Sequence, residues 1–289
     1  MKFKQEFLDK FISVAIERHR VYIQKEMKLP KPWSEDPIFQ NYFFCNVFRQ
    51  YDKCTKWIIE NVIPMVNQDW ENWTLIILYR YISTYDIFKE IENTGKINDI
   101  PWIKNYLKEK RAIGDSMFNG CFLRNPRIKG GWVKTWEVPF YLIDEIRENG
   151  KLKYIIESTQ SLEELTKWFT QFSATKGFMG YEYSCDLEYT KWLNPIDKYS
   201  WCNKGPGAQK GLSWLVYGND HTKFSDQEFL EKCQELFIIM KKGFRKFFPQ
   251  EIYSMREVEH WLCEFQKYIK YLSNYQSGFK CKYRKYQGY

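Results

Sequence analysis

The sequence predicts an all-α fold. Apolar residues recur at three- and four-residue spacing through most of its 289 residues, which is the periodicity of amphipathic helices. Two Ser-x-x-Glu pairs, at residues 161–164 and 225–228, have the spacing of capping boxes at helix starts. The predicted helices lie near residues 3–27, 39–61, 70–92, 99–110, 137–149, 161–171, 178–191, 209–218, 226–244 and 254–275.

Proline and glycine residues mark where the predicted helices are interrupted. Pro37 suits the first turn of a helix, because proline lacks the N–H that this turn would leave unpaired. Residues 28–32 are predicted to link the N-terminal helix to the rest of the chain. Residues 112–136 hold glycines between aromatic side chains and are predicted to form an irregular loop or a short hairpin. We expect one helical domain over residues 1–289, as one body or as two lobes with a ligand cleft between them.

The composition is typical of a nucleic-acid binder. The formal charge is +8, and 19% of the residues are aromatic, with 12 Trp, 21 Tyr and 22 Phe. Cations bind phosphates and aromatic rings stack on bases. A basic protein with an aromatic core is the alternative. Residues 278–289 form a basic aromatic tail, in which Lys282 and Arg284 either contact a DNA backbone or stay in solvent.

The sequence argues against several other classes of protein. Its eight cysteines are scattered without a Cys-x-x-Cys pair, and its three histidines lack zinc-site spacing, so no metal is expected. It has neither a Walker loop nor a Gly-x-Gly-x-x-Gly motif, so no cofactor is expected. No apolar run reaches transmembrane length, and unpaired cysteines without a signal peptide indicate the cytoplasm.

The segment Lys204–Leu212 reads Lys-Gly-Pro-Gly-Ala-Gln-Lys-Gly-Leu and opens a predicted helix. A Gly-Pro-Gly turn at a helix start exposes backbone N–H groups to a phosphate, as in helix-hairpin-helix DNA-binding elements. The alternative is an ordinary turn before a core helix. On the first interpretation, a DNA phosphate is held by Gly205, Gly207, Lys210 and Gly211.

Charged residues interrupt two of the apolar helices. Arg49 lies three residues before Asp52 and four before Lys53, so the three are predicted to share one helix face. Arg80 interrupts a second apolar helix. Embedded charges are costly unless they are paired, so one interpretation is an Arg–Asp bridge between core helices. In the other, Arg49, Lys53 and Arg80 line a phosphate- or base-binding cleft.

Two carboxylates have a spacing suited to acid–base chemistry. Glu182 and Asp186 lie one helical turn apart, so both point the same way, and one pKa could rise enough for a general base. Their alternative role is to complement a helix dipole on a solvated face. Glu264 lies on another acid-bearing helix, which is either part of a site or a helix with one acidic stripe. The predicted base pocket comprises Tyr51, Tyr181, Tyr183 and Glu264.

Four segments occur in an order that resembles a known family: residues 45–53, 177–182, 205–212 and 259–268. Over about residues 33–286, the chain is similar to the alpha-glutamyl/putrescinyl thymine pyrophosphorylases and to the helical domain of 5-hydroxymethyluracil DNA kinases. The resemblance implies a helical fold like that of helix-hairpin-helix DNA glycosylases, acting on modified pyrimidines in phage DNA. Gln266 departs from the pattern, because the family has Asp there.

The resemblance also implies a third candidate acid. In glycosylases of this type an essential aspartate follows the hairpin glycines, and Asp220 and Asp226 both follow Gly207 here. Asp226 also fits a helix start, and Asp220 fits a turn. The predicted catalytic residues are therefore, in order of preference, Asp186, Asp220 and Glu182.

Three functions are compatible with these residues. The first is a DNA glycosylase that flips a modified pyrimidine out of double-stranded DNA and excises it, in a bacterial or phage-infected cell. The second is a transferase that installs an amine on the activated 5-methylene group of the base. The third is a non-catalytic module that senses modified DNA. All three predict DNA as the partner, and none requires a cofactor or a membrane.

Overall fold

The computed structural model describes residues 2–115, 117–118, 124–129, 131–176, 178–248 and 253–276, and it confirms the all-α fold. Gly177, Lys282, Arg284 and the predicted tail lie outside these residues. In chain order the helices are α1 (Gln5–Glu26), α2 (Pro37–Asn41), α3 (Lys53–Asn61), α4 (Ile63–Gln68), α5 (Trp73–Ile82), α6 (Tyr85–Asn93), α7 (Ile100–Ala112), α8 (Val138–Asn149), α9 (Leu152–Thr159), α10 (Leu162–Phe169), α11 (Phe178–Leu187), α12 (Pro206–Tyr217), α13 (Asp226–Phe244) and α14 (Met255–Gln276).

The strands of the described residues form one small antiparallel hairpin. It consists of β1 (Arg127–Ile128) and β2 (Gly131–Trp132), with Arg127 opposite Trp132. The hairpin lies in the segment 112–136, which the sequence predicted to be irregular or a hairpin. The parts of that segment outside the described residues are 116, 119–123 and 130.

The predicted helix over residues 39–61 is interrupted. Helix α2 ends at Asn41 and α3 begins at Lys53, with only a 3-10 turn at Arg49–Tyr51 between them. Asp52 precedes α3 in an extended conformation. The prediction that Arg49, Asp52 and Lys53 share one helix face is therefore wrong. Apolar spacing continues through the interruption, because residues of the intervening loop are also buried.

The predicted helix over residues 70–92 also breaks, at Ser83. Its φ of 45° is left-handed and ends α5, after which α6 begins at Tyr85. The Arg124 guanidinium donates hydrogen bonds to the carbonyls of Tyr81 (3.0 Å) and Ile82 (3.1 Å). These bonds satisfy acceptors that a helix end leaves unpaired. Helices α4 and α9 were not predicted from the sequence.

The chain divides into two compact units. Unit 1 combines Met1–Tyr51 with Lys198–Tyr289, and unit 2 is Asp52–Asp197. Unit 1 therefore holds α1, α2 and α12 to α14, and unit 2 holds α3 to α11. In the described parts of the chain, no helix has the length and apolar composition of a membrane-spanning segment.

Glycines bring α12 unusually close to α14 in unit 1. A Cβ atom on Gly207 would lie 2.4 Å from the Cys263 sulfur, and one on Gly211 would lie 2.1 Å from the Leu262 carbonyl oxygen. At Gly205, a Cβ would lie 2.5 Å from a Glu259 carboxylate oxygen. None of the three glycines has a positive φ. Close helix packing thus explains these glycines without a bound phosphate, and their role in DNA binding stays a prediction.

A buried histidine lies among aromatic rings in unit 1. The His19 ring centre is 4.3 Å from that of Phe248 and 5.5 Å from that of Phe48. Among the described residues, its Nδ1 has no hydrogen-bond partner. Burial, followed by the neighbouring Arg18 charge, lowers the pKa of His19 from 6.5 to about 4. The ring is therefore neutral at physiological pH.

Unit 2 is built around α5. Every residue of α5 is buried, and α3, α8 and α11 pack on it. A helix surrounded by others needs apolar residues on all faces, and its sequence is Trp-Thr-Leu-Ile-Ile-Leu-Tyr-Arg-Tyr-Ile. Arg80 is the single charged residue in this helix, so its partner decides whether the core of unit 2 is stable.

We predict that Gly211→Ala destabilises the protein by about 1–3 kcal/mol, because the added methyl group forces α12 away from α14. Gly243→Ala is the matched control, since a Cβ at this helical position meets nothing within 4 Å. It should stabilise the protein by up to about 1 kcal/mol through helix propensity. Urea unfolding measures both, and equal stability of Gly211→Ala and wild type would contradict the packing argument.

The depressed pKa of His19 predicts a pH-dependent stability. Between about pH 6.5 and pH 4 the unfolded chain binds a proton that the folded protein excludes, so stability falls as pH falls. The loss at His19 should be about 2 kcal/mol between pH 7 and pH 5. Burial also lowers the pKa of His260 well below its usual value, which adds a loss in the same direction.

The test is urea unfolding at both pH values. His19→Phe removes one of the two buried histidines, His19 and His260, so this variant should lose less stability on acidification than the wild type. His221→Gln is the control, because the His221 side chain is 80% exposed, and it should behave like the wild type. A His19→Phe protein with the full wild-type pH dependence would show that His19 contributes none of it.

Candidate nucleic-acid interface and active site

Arg80 and Asp186 form a buried ion pair in unit 2. Arg80 Nε lies 2.5 Å from Asp186 Oδ2, and Arg80 Nη2 lies 2.6 Å from Asp186 Oδ1. Arg80 Nη2 also donates to Thr55 Oγ1 at 3.0 Å. Both charged side chains are only 2% exposed. This is an Arg–Asp bridge between core helices, as one interpretation proposed, but the acid is Asp186.

This ion pair affects two predicted roles, catalysis by Asp186 and DNA contact by Arg80. Each carboxylate oxygen of Asp186 accepts a hydrogen bond from Arg80, so this carboxylate is already engaged in a bidentate ion pair. The guanidinium of Arg80 is likewise turned into the core of unit 2. Catalysis by Asp186 and DNA contact by Arg80 therefore stay predictions, and the geometry gives both residues a structural role.

The other predicted residues of α11 are also buried. Tyr181, Glu182 and Tyr183 are all largely excluded from solvent. Burial raises the pKa of Tyr183 well above its usual value, and the nearby Tyr81 raises it further. Within the described residues, the hydroxyls of Tyr81 and Tyr183 have no hydrogen-bond partner. These phenols stay protonated, and a base-stacking role for Tyr181 and Tyr183 stays a prediction.

Asp220 lies in unit 1, in the turn after α12. Asn219 Oδ1 accepts hydrogen bonds from the backbone N–H groups of His221 and Thr222, both at 3.1 Å, and so shapes this turn. The Asp220 side chain is 55% exposed. A polar cavity of about 190 Å³ is lined by Trp214, Asp220, Gln266, Lys270, Ser273 and Asn274.

The structure thus brings Asp220 to the same cavity as Gln266, the position that departs from the family pattern. Asp226, the competing acid, begins α13, where Ser225 and Glu228 form the predicted capping box. Asp226 forms an ion pair with Lys204. Of the three predicted catalytic acids, Asp220 belongs to unit 1, whereas Glu182 and Asp186 belong to unit 2.

The loop after α2 is held by side chains of α14. Glu264 Oε2 accepts a hydrogen bond from the Cys45 backbone N–H at 2.9 Å. Trp261 Nε1 donates to the Val47 carbonyl at 2.6 Å. Glu264, which was predicted to line a base pocket, therefore binds the backbone of this loop.

Two further side chains hold the same loop. Arg18 of α1 donates to the carbonyls of Cys45 (2.7 Å) and Asn46 (3.0 Å). His260 Nε2 lies 3.0 Å from the Asn46 carbonyl oxygen, so the neutral ring carries its proton on Nε2. Tyr51, another predicted base-pocket residue, stacks on Tyr22 with ring centres 4.9 Å apart.

The predicted DNA-binding cations lie in different units. Lys210 is exposed on α12, and Arg49 is half-buried in the 3-10 turn of unit 1. Lys53 is exposed at the start of α3 in unit 2, where its ammonium lies 5.5 Å from the centre of the Tyr85 ring. Their contact with DNA stays a prediction.

Unit 1 also contains a pocket that was not predicted from the sequence. It has a volume of about 310 Å³ and lies between α1, α2 and the segments that follow them. We call it the aromatic–lysine pocket. Its signal in the sequence was a run of three lysines over residues 25–31 followed by five aromatic residues over residues 33–44. Its lining residues are Arg18, Val21, Lys25, Lys31, Pro32, Trp33, Ser34, Phe39, Gln40, Tyr42, Phe43, Phe44, Cys45 and Asn46.

We predict that Arg80→Ala and Asp186→Ala each destabilise the protein by about 3–5 kcal/mol, because either change leaves an unpaired buried charge. The double variant should be less destabilised than the sum of the two. Lys129→Ala is the control, since its ion pair with Glu148 is exposed, and it should unfold like the wild type. An Arg80→Ala protein with wild-type stability but no activity would instead place the pair in the active site.

Comparison with known proteins identifies the family. The sequence profile described as 5-hmdU DNA kinase, helical domain, matches residues 5–278. A curated relative, the 5-hmdU DNA kinase of Bacillus phage SP10, is 24% identical over 293 residues, which cover 92% of this chain and 45% of the relative. The chain therefore spans less than half of that relative's length. No solved structure matches, so the likeness to DNA glycosylase folds stays a prediction. Because the profile covers nearly the whole chain, the protein belongs to the family of 5-hmdU DNA kinase helical domains.

Proposed function

We propose that the protein is a DNA-base-modifying transferase that acts on 5-hydroxymethyluracil, or on a derivative of it, in phage DNA. The observation that carries this proposal is the family match over residues 5–278. The name of the phage relative supplies the substrate. These 289 residues contain no Walker loop, so we assign them the base-directed part of the chemistry and not phosphoryl transfer from ATP.

The proposed reaction replaces a leaving group on the base. The 5-methylene carbon of an activated hydroxymethyl group bonds to an amine nitrogen as the carbon–oxygen bond to phosphate or pyrophosphate breaks. The amine loses a proton to a base on the protein, and the leaving group departs with the electron pair of the broken bond. The 5-methylene group faces the major groove of B-DNA, and we propose that the target base is flipped out so that a protein pocket can enclose it during the reaction.

Charge and surface chemistry support DNA as the substrate. The chain carries a formal charge of +8, which favours a polyanion. The aromatic–lysine pocket offers rings and cations in one place. Base excision, the first function predicted from the sequence, has no support in the comparisons, which name a kinase family. It is nevertheless a distinct outcome of the experiment below.

The proposal predicts a base-linked product. Duplex DNA carrying 5-hydroxymethyluracil, its phosphorylated form or thymine is incubated with the protein and an amine, and its nucleosides are then analysed by mass spectrometry. We expect an amine adduct from the phosphorylated base and none from thymine. A free base with an abasic site would establish excision instead. Binding without any product on all three DNAs would favour a sensing module.

The same assay tests the proton acceptor. Replacing it should lower turnover by about 10²–10⁴-fold while DNA binding survives. Asp220→Asn is the most informative variant, because its side chain is half-exposed, whereas Asp186→Asn also disturbs the Arg80 pair. Asp226→Asn is the matched control on the same segment. Turnover of Asp220→Asn within about tenfold of wild type would remove Asp220 from the reaction.

A further inference from the structure

We propose that the aromatic–lysine pocket of unit 1 receives a single uracil-type nucleotide displaced from DNA. The proposal rests on the proposed function, because it takes the nucleotide to be the substrate of that reaction. The pocket was absent from every sequence-based site assignment. Its shape, charge and polar groups each point to the same ligand.

The size and the walls of the pocket suit one nucleotide. Its volume of about 310 Å³ is at the lower end of the range for small-molecule sites. Trp33, Phe39, Phe43 and Phe44 line it, and the Phe39 and Phe44 ring centres lie 4.9 Å apart. Phe43 is 45% exposed, so it presents a ring at the surface. Aromatic side chains of this kind stack on the faces of unpaired bases.

The charge of the pocket suits a phosphate. Its charged lining residues are Arg18, Lys25 and Lys31, and none of its lining residues is an acid. The Lys25 and Lys31 ammonium groups lie 5.0 and 4.9 Å from the centre of the Trp33 ring. A phosphate bound by these two lysines would therefore place its attached nucleoside beside an indole ring. Cations and an aromatic ring together favour a nucleotide over a neutral base.

A polar group distinguishes uracil from cytosine. Gln40 lines the pocket, and its Nε2 donates to the Ser34 carbonyl at 2.8 Å. The Oε1 atom of the same amide is a hydrogen-bond acceptor, so it can accept a hydrogen bond from a ligand. Uracil and thymine carry an N–H at position 3, whereas cytosine carries an acceptor there. A site that pairs with this N–H should reject cytosine.

Hydrogen bonds fix the pocket walls before a ligand arrives. Asp36 accepts from the Ile38 N–H at 2.8 Å at the start of α2, and from the Tyr268 hydroxyl at 2.7 Å. Trp33 Nε1 donates to the Leu29 carbonyl at 2.7 Å. A wall that is already ordered loses little conformational entropy on binding, which favours affinity.

Isothermal titration with 5-hydroxymethyl-2′-deoxyuridine 5′-monophosphate tests the pocket directly. The wild type should bind it more tightly than the cytidine analogue. Lys31→Ala and Phe43→Ala should each weaken binding by about tenfold, because they remove a phosphate contact and a stacking ring. Lys242→Ala, an exposed lysine on α13 outside the pocket, should bind like the wild type. Gln40→Leu should reduce the preference over cytosine.

The outcomes separate this proposal from the proposed function. Failure of the wild type to bind the nucleotide at millimolar concentration overturns the pocket, as does equal binding by wild type, Lys31→Ala and Phe43→Ala. Both variants change exposed side chains, and thermal unfolding confirms their fold. Nucleotide binding through the pocket with no modification of any DNA would keep the pocket and reject the transferase. If both variants modified DNA with the wild-type KM, the transferase proposal would stand and the pocket proposal would be rejected.

Discussion

Unit 1 depends on the close approach of α12 to α14. Gly205, Gly207 and Gly211 remove the Cβ atoms that would otherwise collide with α14. Once α12 is seated, α14 lies against α1, α2 and α13 as well. Its side chains Glu264 and Trp261 then hold the loop that borders the aromatic–lysine pocket. Small residues on one helix thus position a loop that is distant in sequence.

Unit 2 depends on a different interaction, because its central helix α5 contains the buried charge of Arg80. Removing Arg80 and Asp186 from water is costly, and the two short hydrogen bonds between them, with a third to Thr55, offset much of that cost. A pair of this kind fixes the register of α5 against α11. Because Asp186 has this structural role, its burial near tyrosines does not by itself indicate catalysis.

A base-modifying enzyme is expected to have aromatic rings, cations and an acid, and in unit 1 these groups line two different cavities. The aromatic–lysine pocket has rings and cations but no acid among its lining residues. The cavity at Asp220 has an acid and a lysine beside a single aromatic residue, Trp214. On our proposals, nucleotide recognition belongs to the aromatic–lysine pocket and proton transfer to the cavity at Asp220, so the two can be tested independently.

The sequence by itself determined the helical class and the start of α13, because helix periodicity and the Ser225–Glu228 capping box are local. It also identified Arg80 as an embedded charge that needs a partner. Only the tertiary structure decided that this partner is Asp186, 106 residues away along the chain. It likewise decided that the glycines near residue 207 face a neighbouring helix, and that residues 42–52 leave the helical path. Each of these outcomes depends on contacts between segments that are far apart in sequence, and no local pattern records such contacts.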